Sequence, residues 1–283
     1  MSGKLYVVAT PIGNLGDISF RAIETLKQVD VIAAEDTRHV KMLLQHYGIQ
    51  QSLISLHQHN EDHASQGLVD RMLAGQSIAL VSDAGTPLLS DPGLPLVRLA
   101  RQQGIEVSPI PGACALIAAL SVSGLPVIPF SFDGFLPRTA SARKHFFEEK
   151  LNTTTSWAFY ESSHRIQAAL EDLATLFPAD HDIVIAREIT KLHETIVKLP
   201  LAEALACVSN DDNMRKGEFV VIVAGRKALD DDEQVNDEQR RILGLLLKEC
   251  STKTAAALAA DITGQRKKLL YQAALEMADQ NLG

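Results

Sequence analysis

The sequence predicts two α/β domains followed by a small helical module. Strand-like apolar runs alternate with amphipathic stretches through residues 1–123, and the same alternation resumes beyond the Gly- and Pro-rich stretch 124–138. After a polar acidic run at 229–234, only helical patterns remain. The boundaries are therefore drawn as an N-terminal domain 1–123, a second domain 124–228 and a module 235–283. At 283 residues, 46% hydrophobic and 22% charged, the chain has enough apolar material for two cores.

The first half opens with a strand at 5–9, an amphipathic helix at 18–29 carrying Ala22, Ile23, Leu26 and Val29 on one face, and a strand at 31–34. Asp17 is read as the cap of that helix. A helix near 62–73, a strand at 77–81, a helix near 94–101 and a strand at 107–110 continue the rhythm, and PGACALIAAL opens a further helix. Parallel strands with helical crossovers follow from this order. Beyond the join, helices are expected at 141–151 and 166–176, with strands at 156–160, 183–187 and 219–224. The module reads as helices at 237–249, 252–260 and 265–279.

Composition excludes several classes. Cys114, Cys207 and Cys250 are far apart, odd in number and without CxxC spacing, so neither a disulfide framework nor a zinc site is expected. No apolar run reaches the length of a membrane span, and the first ten residues lack a signal peptide's apolar core, so the reading is a cytoplasmic protein with no membrane partner. A formal charge of -8 argues against a generally basic nucleic-acid binder, although a local basic face can coexist with it. Gly13 and Gly16 do not make GxGxxG, no GxxxxGK[ST] is present, and His193-Glu194 lacks the second histidine of HExxH. His57, His59, Asp62 and His63 are read as a solvated or substrate-facing loop, with no metal expected.

The segment VSDAGTPLLSDPG, 81–93, is the most informative. An apolar strand runs straight into Asp83, Gly85, Thr86 and Pro87, which turn the backbone out of the sheet at its carboxyl end, where open α/β sheets bind ligands. A cofactor is expected there.

Seven motifs occur in order from end to end: VATPIGNLGDIS, AAEDTRHV, LVSDAGTPLLSDPG, IPGACALIAAL, FYESSHR, IAREITKLHE and GEFVVIV. Together they resemble the tetrapyrrole-methylase-like class of S-adenosylmethionine-dependent methyltransferases, in its branch acting on small-subunit ribosomal RNA. The resemblance covers residues 4 to about 228, and the tail is similar to that branch's extra C-terminal module. It implies two α/β domains with the cofactor in the cleft between them, a homodimer, and methylation of the ribose 2'-hydroxyl of a cytidine in 16S ribosomal RNA of the small subunit.

S-adenosylmethionine has no phosphates and needs no phosphate loop. Main-chain groups and small side chains at strand ends suit it, which selects Pro11, Ile12, Gly13, Asp83, Gly85, Thr86, Pro87, Leu89, Gly112, Cys114 and Ala115. By family position Tyr160 and Arg187 join them. Cys114 reads equally as a small buried helix residue. In-line methyl transfer requires mainly orientation of the acceptor, with a nearby charge to assist deprotonation of the hydroxyl. Glu161 or Glu188 is expected to orient the ribose, and Arg38, Arg165 and Lys191 to hold RNA phosphates. The competing reading is that these charges cap helices and pair with one another. In the tail, Arg266, Lys267 and Lys268 begin an amphipathic helix that either docks RNA or packs on its own protein. A small-molecule methyltransferase of the tetrapyrrole type is the alternative, opposed by Gly85-Thr86-Pro87 where those relatives carry an acidic position; a non-enzymatic nucleic-acid-binding regulator comes third.

Overall fold

A computed structural model of the chain describes residues 2–226 and 235–280, so the acidic run at 229–234 lies outside the described residues. The chain forms two compact units, Met1–Ala224 and Gly225–Gly283.

The first unit contains two five-stranded sheets. The first is built from β1 (Leu5–Val8), β2 (Val31–Ala34), β3 (Ser52–Ser55), β4 (Ile78–Val81) and β5 (Val107–Ile110), in the order β3-β2-β4-β1-β5 with every pair parallel. Parallel strands need crossovers that cover both faces, and the period of two along each strand shows them covered. Val31, Ala33, Ile78 and Leu80 pack with Leu68 and Met72 of α3 (Glu61–Leu73) and Leu96 of α4 (Leu94–Gln102). The alternate residues Ile32, Ala34, Ala79 and Val81 pack with Ala22 and Leu26 of α1 (Phe20–Gln28) and Val40 and Leu44 of α2 (Thr37–His46).

The second sheet takes β6 (Phe130–Phe135), β7 (Ser156–Ser162), β8 (Asp182–Arg187), β9 (Thr195–Pro200) and β10 (Glu218–Val223) in the order β6-β7-β10-β8-β9. Only β6 and β7 run parallel; the other pairs are antiparallel. One face carries Trp157, Phe159, Ile183, Ile185 and Val221 against Phe147 of α6 (Ala140–Lys150), Leu170 of α7 (Ile166–Ala174) and Leu201 of α8 (Leu201–Asn210). The other face, Ala158, Val184, Ala186, Val220 and Ile222, receives Leu116, Ala119 and Leu120 of α5 (Ala115–Val122), the helix that leaves β5. This one helix therefore links the first sheet's edge to the second sheet's face.

In the second unit, α9 (Asp237–Leu246) opens with a capping box between Asn236 and Gln239, Ser251 caps α10 (Thr252–Thr263), and α11 (Lys267–Gln280) follows. Leu243, Ala255, Ala256, Ala259, Leu270 and Ala274 form its core.

Several expectations are corrected. The α1 helix begins at Phe20, and Ser19, whose side chain accepts the Ala22 amide, caps it in place of Asp17, which ends a short 3-10 turn at Leu15–Asp17. The stretch 124–138 is not only a join: Phe130–Phe135 inside it pairs with β7. α2, β3, β9 and α8 were not anticipated.

Between α6 and α7, Arg143 Nε donates to Asp172 Oδ2 at 2.8 Å, with both residues buried. A buried charge that loses its partner is strongly destabilising. Asp172→Ala should lower the urea-unfolding free energy by about 3–5 kcal/mol, and the apolar pair Arg143→Met with Asp172→Leu should recover most of it. A cost below about 1 kcal/mol for Asp172→Ala would show that the pair is not structural.

Candidate functional site

In a parallel sheet every strand's carboxyl end lies on one edge, so the loops after β1, β2, β4 and β5 emerge together. Side chains and backbone stitch them to one another. Thr10 and Gly85 exchange backbone hydrogen bonds of 2.9 and 3.0 Å, Thr86 Oγ1 donates to the Ala113 carbonyl at 3.1 Å, and the Asp36 amide donates to Asp83 Oδ1 at 2.9 Å. Gly85 has φ +84°, and a Cβ there would stand 3.2 Å from Ile12 Cγ2. A Cβ on Gly13 would fall 2.3 Å from Lys191 Cγ, so the loop after β1 touches the loop after β8 only because that position is glycine.

Between these loops and the second sheet lies a cleft of about 420 Å³. On the first-sheet side it is lined by Ile12, Glu35, Asp83, Gly85, Thr86, Leu89, Ser90, Asp91, Cys114 and Ala115; Tyr160, Glu161, Ala186, Glu188, Lys191, Glu218 and Val220 line it from the second. β7 and β8 end, and antiparallel β10 begins, at the same edge, with Glu218 opposite Ser162 and Phe219 opposite Arg187.

Backbone strain concentrates at this cleft. Among the described residues, the non-glycine residues with positive φ are Leu88 (+76°), Ser90 (+72°), Glu188 (+51°) and Thr190 (+67°), two in each of the facing loops. Each such conformation costs on the order of 1–3 kcal/mol and persists only where surroundings over-determine it. The Glu188 loop is held by Glu188 N donating to the Glu218 carbonyl at 3.0 Å, Glu218 N donating to Glu188 Oε1 at 2.9 Å and Thr190 N donating to Glu194 Oε2 at 2.6 Å.

The electrostatics are acidic on one side and mixed on the other. Burial pushes the Asp91 carboxyl up to about 6, with Asp83 adding to it; burial together with Asp83 and Asp91 raises Glu35. Burial also pushes the Tyr160 hydroxyl up to about 12. The Glu161 side chain is completely buried, and burial raises its carboxyl above the ordinary range despite the Ser162 amide, which donates to Oε1 at 2.8 Å, and Arg165. Glu161 Oε2 lies 3.1 Å from Arg165 Nη2 yet accepts no hydrogen bond. Burial opposes the charge on Glu188, but Lys191 and the Glu218 amide outweigh it and hold the carboxyl below its usual range.

The structure brings most of the sequence-expected residues together and sets some apart. Ile12, Asp83, Gly85, Thr86, Leu89, Cys114, Ala115, Tyr160, Glu161, Glu188 and Lys191 line the cleft, whereas Pro11, Gly13, Pro87 and Gly112 belong to the same loops and do not line it. Arg187 does not line it: its Nε donates to the Lys216 carbonyl at 2.6 Å and its Nη1 to the His193 carbonyl at 2.9 Å. Arg38 is exposed outside the cleft and pairs with Asp36, while Arg165 Nη2 is spent on the Leu136 and Pro137 carbonyls at 2.7 and 2.9 Å. Ser90, Asp91 and Glu218 line the cleft beyond the expected set. Asp91 carried a signal, since it belongs to the SDPG end of the segment expected to bind a cofactor. Among the described residues no group of three or more histidine, cysteine or acidic residues is placed to hold a metal ion, and no helix is long and apolar enough to cross a membrane.

The sequence profile of the Tetrapyrrole (Corrin/Porphyrin) Methylases matches residues 4–205, and that of the RsmI C-terminal HTH domain matches 233–278. A protein of Xylella fastidiosa named ribosomal RNA small subunit methyltransferase I is 52% identical, over 95% of this chain and 98% of its own. One of the same name from Pseudomonas aeruginosa is 50% identical over 97% and 98%. Among solved structures, the methyltransferase CobJ is similar with a TM-score of 0.60 at 18% identity, covering 80% of this chain and 95% of its own. The uroporphyrin-III C-methyltransferase of Thermus thermophilus, complexed with S-adenosylhomocysteine, gives a TM-score of 0.53 at 16% identity, with 78% and 97% covered.

The raised Asp91 carboxyl has a consequence for stability. Its folded value of about 6 exceeds the ordinary carboxyl value, so its contribution is fully present below about pH 4 and is lost as pH rises through about 6. Asp91→Asn should therefore stabilise the protein by about 1 kcal/mol at pH 8, after allowance for solvent screening, with the gain vanishing below about pH 4. Urea unfolding of both proteins at the two pH values checks this, and a variant less stable at pH 8 would contradict it.

Proposed function

Because the chain belongs to the tetrapyrrole methylase family, in its ribosomal RNA small subunit methyltransferase I branch, we propose that it methylates the ribose 2'-hydroxyl of a cytidine in 16S ribosomal RNA, using S-adenosylmethionine. In this reading it acts in the cytoplasm, as a homodimer, on the small ribosomal subunit. The observation that carries the reading is that the likeness to the rRNA methyltransferases runs through both units, the helical module included. The two sheets are then the cores of two domains meeting near residue 123, and the module, whose α11 begins with Lys267 and Lys268, docks RNA.

The cleft fits the cofactor. A volume of about 420 Å³ lies within the range of small-molecule sites, and Ile12, Leu89, Ala115 and Ala186 offer apolar walls. The carboxyls of Glu35, Asp83 and Asp91 favour a ligand bearing positive charge. Gly85 and Thr86 line the cleft with backbone and a small side chain. When bound, S-adenosylmethionine supplies an activated methyl group on a sulfonium, so the protein's task is to seat the acceptor and manage one proton.

Of the two carboxylates expected to orient the ribose, we assign that proton to Glu161. Glu188 Oε1 already accepts from Lys191 and from the Glu218 amide, whereas Glu161 Oε2 accepts no hydrogen bond and faces the Arg165 guanidinium, 3.1 Å away. A raised carboxyl is also a stronger base, and burial has raised Glu161. Lys191 brings positive charge to the same side of the cleft, and Tyr160, packed on Phe132 and Phe135, forms one of its walls.

Incubation with methyl-labelled S-adenosylmethionine and small subunits lacking the modification, followed by digestion of the RNA, tests this. The label should appear as 2'-O-methylcytidine at one site, and Glu161→Gln should lose on the order of 100-fold or more in rate while still binding cofactor. Label on a base, or on no RNA at all, would contradict the substrate; full turnover by Glu161→Gln would contradict the base.

A further inference from the structure

Lys191 has two counter-ions of very different character. Its Nζ lies 2.8 Å from Glu188 Oε1 and 2.8 Å from Glu218 Oε2, but the Glu188 side chain is 17% exposed and that of Glu218 is 79% exposed. Glu188 is fixed: its oxygen also accepts the Glu218 amide, and a Cβ on Gly217 would lie 2.5 Å from its Cδ. Glu218 is fixed only in its backbone, through the 3.0 Å bond from Glu188 N, and its side chain is free to rotate into solvent. An exposed ion pair contributes about 0–1 kcal/mol, so Glu218 can leave Lys191 at little cost while Glu188 cannot.

From this asymmetry we propose that Glu218 is a resident stand-in for a phosphate: an RNA phosphodiester entering at the cleft mouth displaces it from Lys191 and takes its place on the ammonium. The inference rests on the RNA substrate proposed above. Lys191 always carries a counter-ion, so a polyanion gains from binding here only by the difference between phosphate and carboxylate. Casual polyanions are thereby discriminated against, and Glu218 determines specificity without touching the reacting atoms. A phosphate fits the exchange better than the cofactor's own carboxylate, because the group that leaves is the outer, solvent-facing one.

A double-mutant cycle read by fluorescence anisotropy of a labelled single-stranded oligoribonucleotide tests the exchange. Glu218→Gln should tighten binding about 3–10-fold, Lys191→Met should weaken it by a similar factor, and in the Lys191→Met background Glu218→Gln should change affinity by less than about twofold. Lys191→Arg, which keeps the charge, should preserve the response and guards against a folding defect in the methionine variant. An equal gain from Glu218→Gln in both backgrounds would reduce the effect to overall charge and overturn the exchange. So would no gain in the parent, or a gain found only in S-adenosylmethionine affinity by calorimetry. The methyl-labelling assay on the unaltered protein judges the RNA substrate separately, so loss of coupling with labelled RNA rejects only the exchange.

Discussion

The site depends on where α5 must go. This helix leaves the carboxyl end of β5 in the first sheet with the sequence ALIAALSV, and its Leu116, Ala119 and Leu120 find their burial on the second sheet. Burying leucines of this kind contributes roughly 1.5–3 kcal/mol each, enough to hold one sheet's edge against the other's face. Once that packing is made, the loops after β1, β4 and β5 face the ends of β7 and β8, and the cleft between them is a consequence. Gly13 sets the closest approach, because nothing larger fits against Lys191 and Thr190.

The facing loops are strained in the same way. Leu88 and Ser90 on one side and Glu188 and Thr190 on the other all adopt left-handed backbone, and on the Glu188 side backbone amides donating to the Glu188 and Glu194 carboxylates hold it. Such geometry keeps Ser90 and Glu188 at the cleft, together with a buried Glu161 and a half-buried Asp91 whose carboxyls are reluctant to ionise. Rigid scaffold below and constrained loops above is the arrangement expected where an acceptor must be held in one orientation for transfer.

Much of this was legible in the sequence, and the remainder failed for identifiable reasons. Runs such as IALV are apolar at every position because both faces of a parallel sheet are covered, so β2 and β4 stood out. β3 is four residues at the sheet's edge, and β6 lies in a stretch whose glycines and prolines masked the alternation of Phe130 and Phe132. α8 has a readable face in Leu201, Ala204 and Val208, but it starts directly at the end of β9, at Pro200, with no side-chain cap to mark its beginning. The loop 81–93 announced itself through its turn residues, but nothing in a sequence indicates that Leu88 or Glu188 adopts positive φ. Arg187 shows the limit most plainly: its place at a strand end pointed to the cleft, while two backbone carbonyls engage its guanidinium elsewhere.

In the proposed function, the cleft between the 83–91 loop and the ends of β7 and β8 seats the cofactor. A crystal structure of the full chain with S-adenosylhomocysteine tests it most directly. The ligand is expected against Gly85, Thr86, Cys114 and Tyr160, with its amino-acid end toward the acidic side formed by Asp83 and Asp91. Ligand bound anywhere else, or a cleft left empty while calorimetry reports stoichiometric binding, would contradict it.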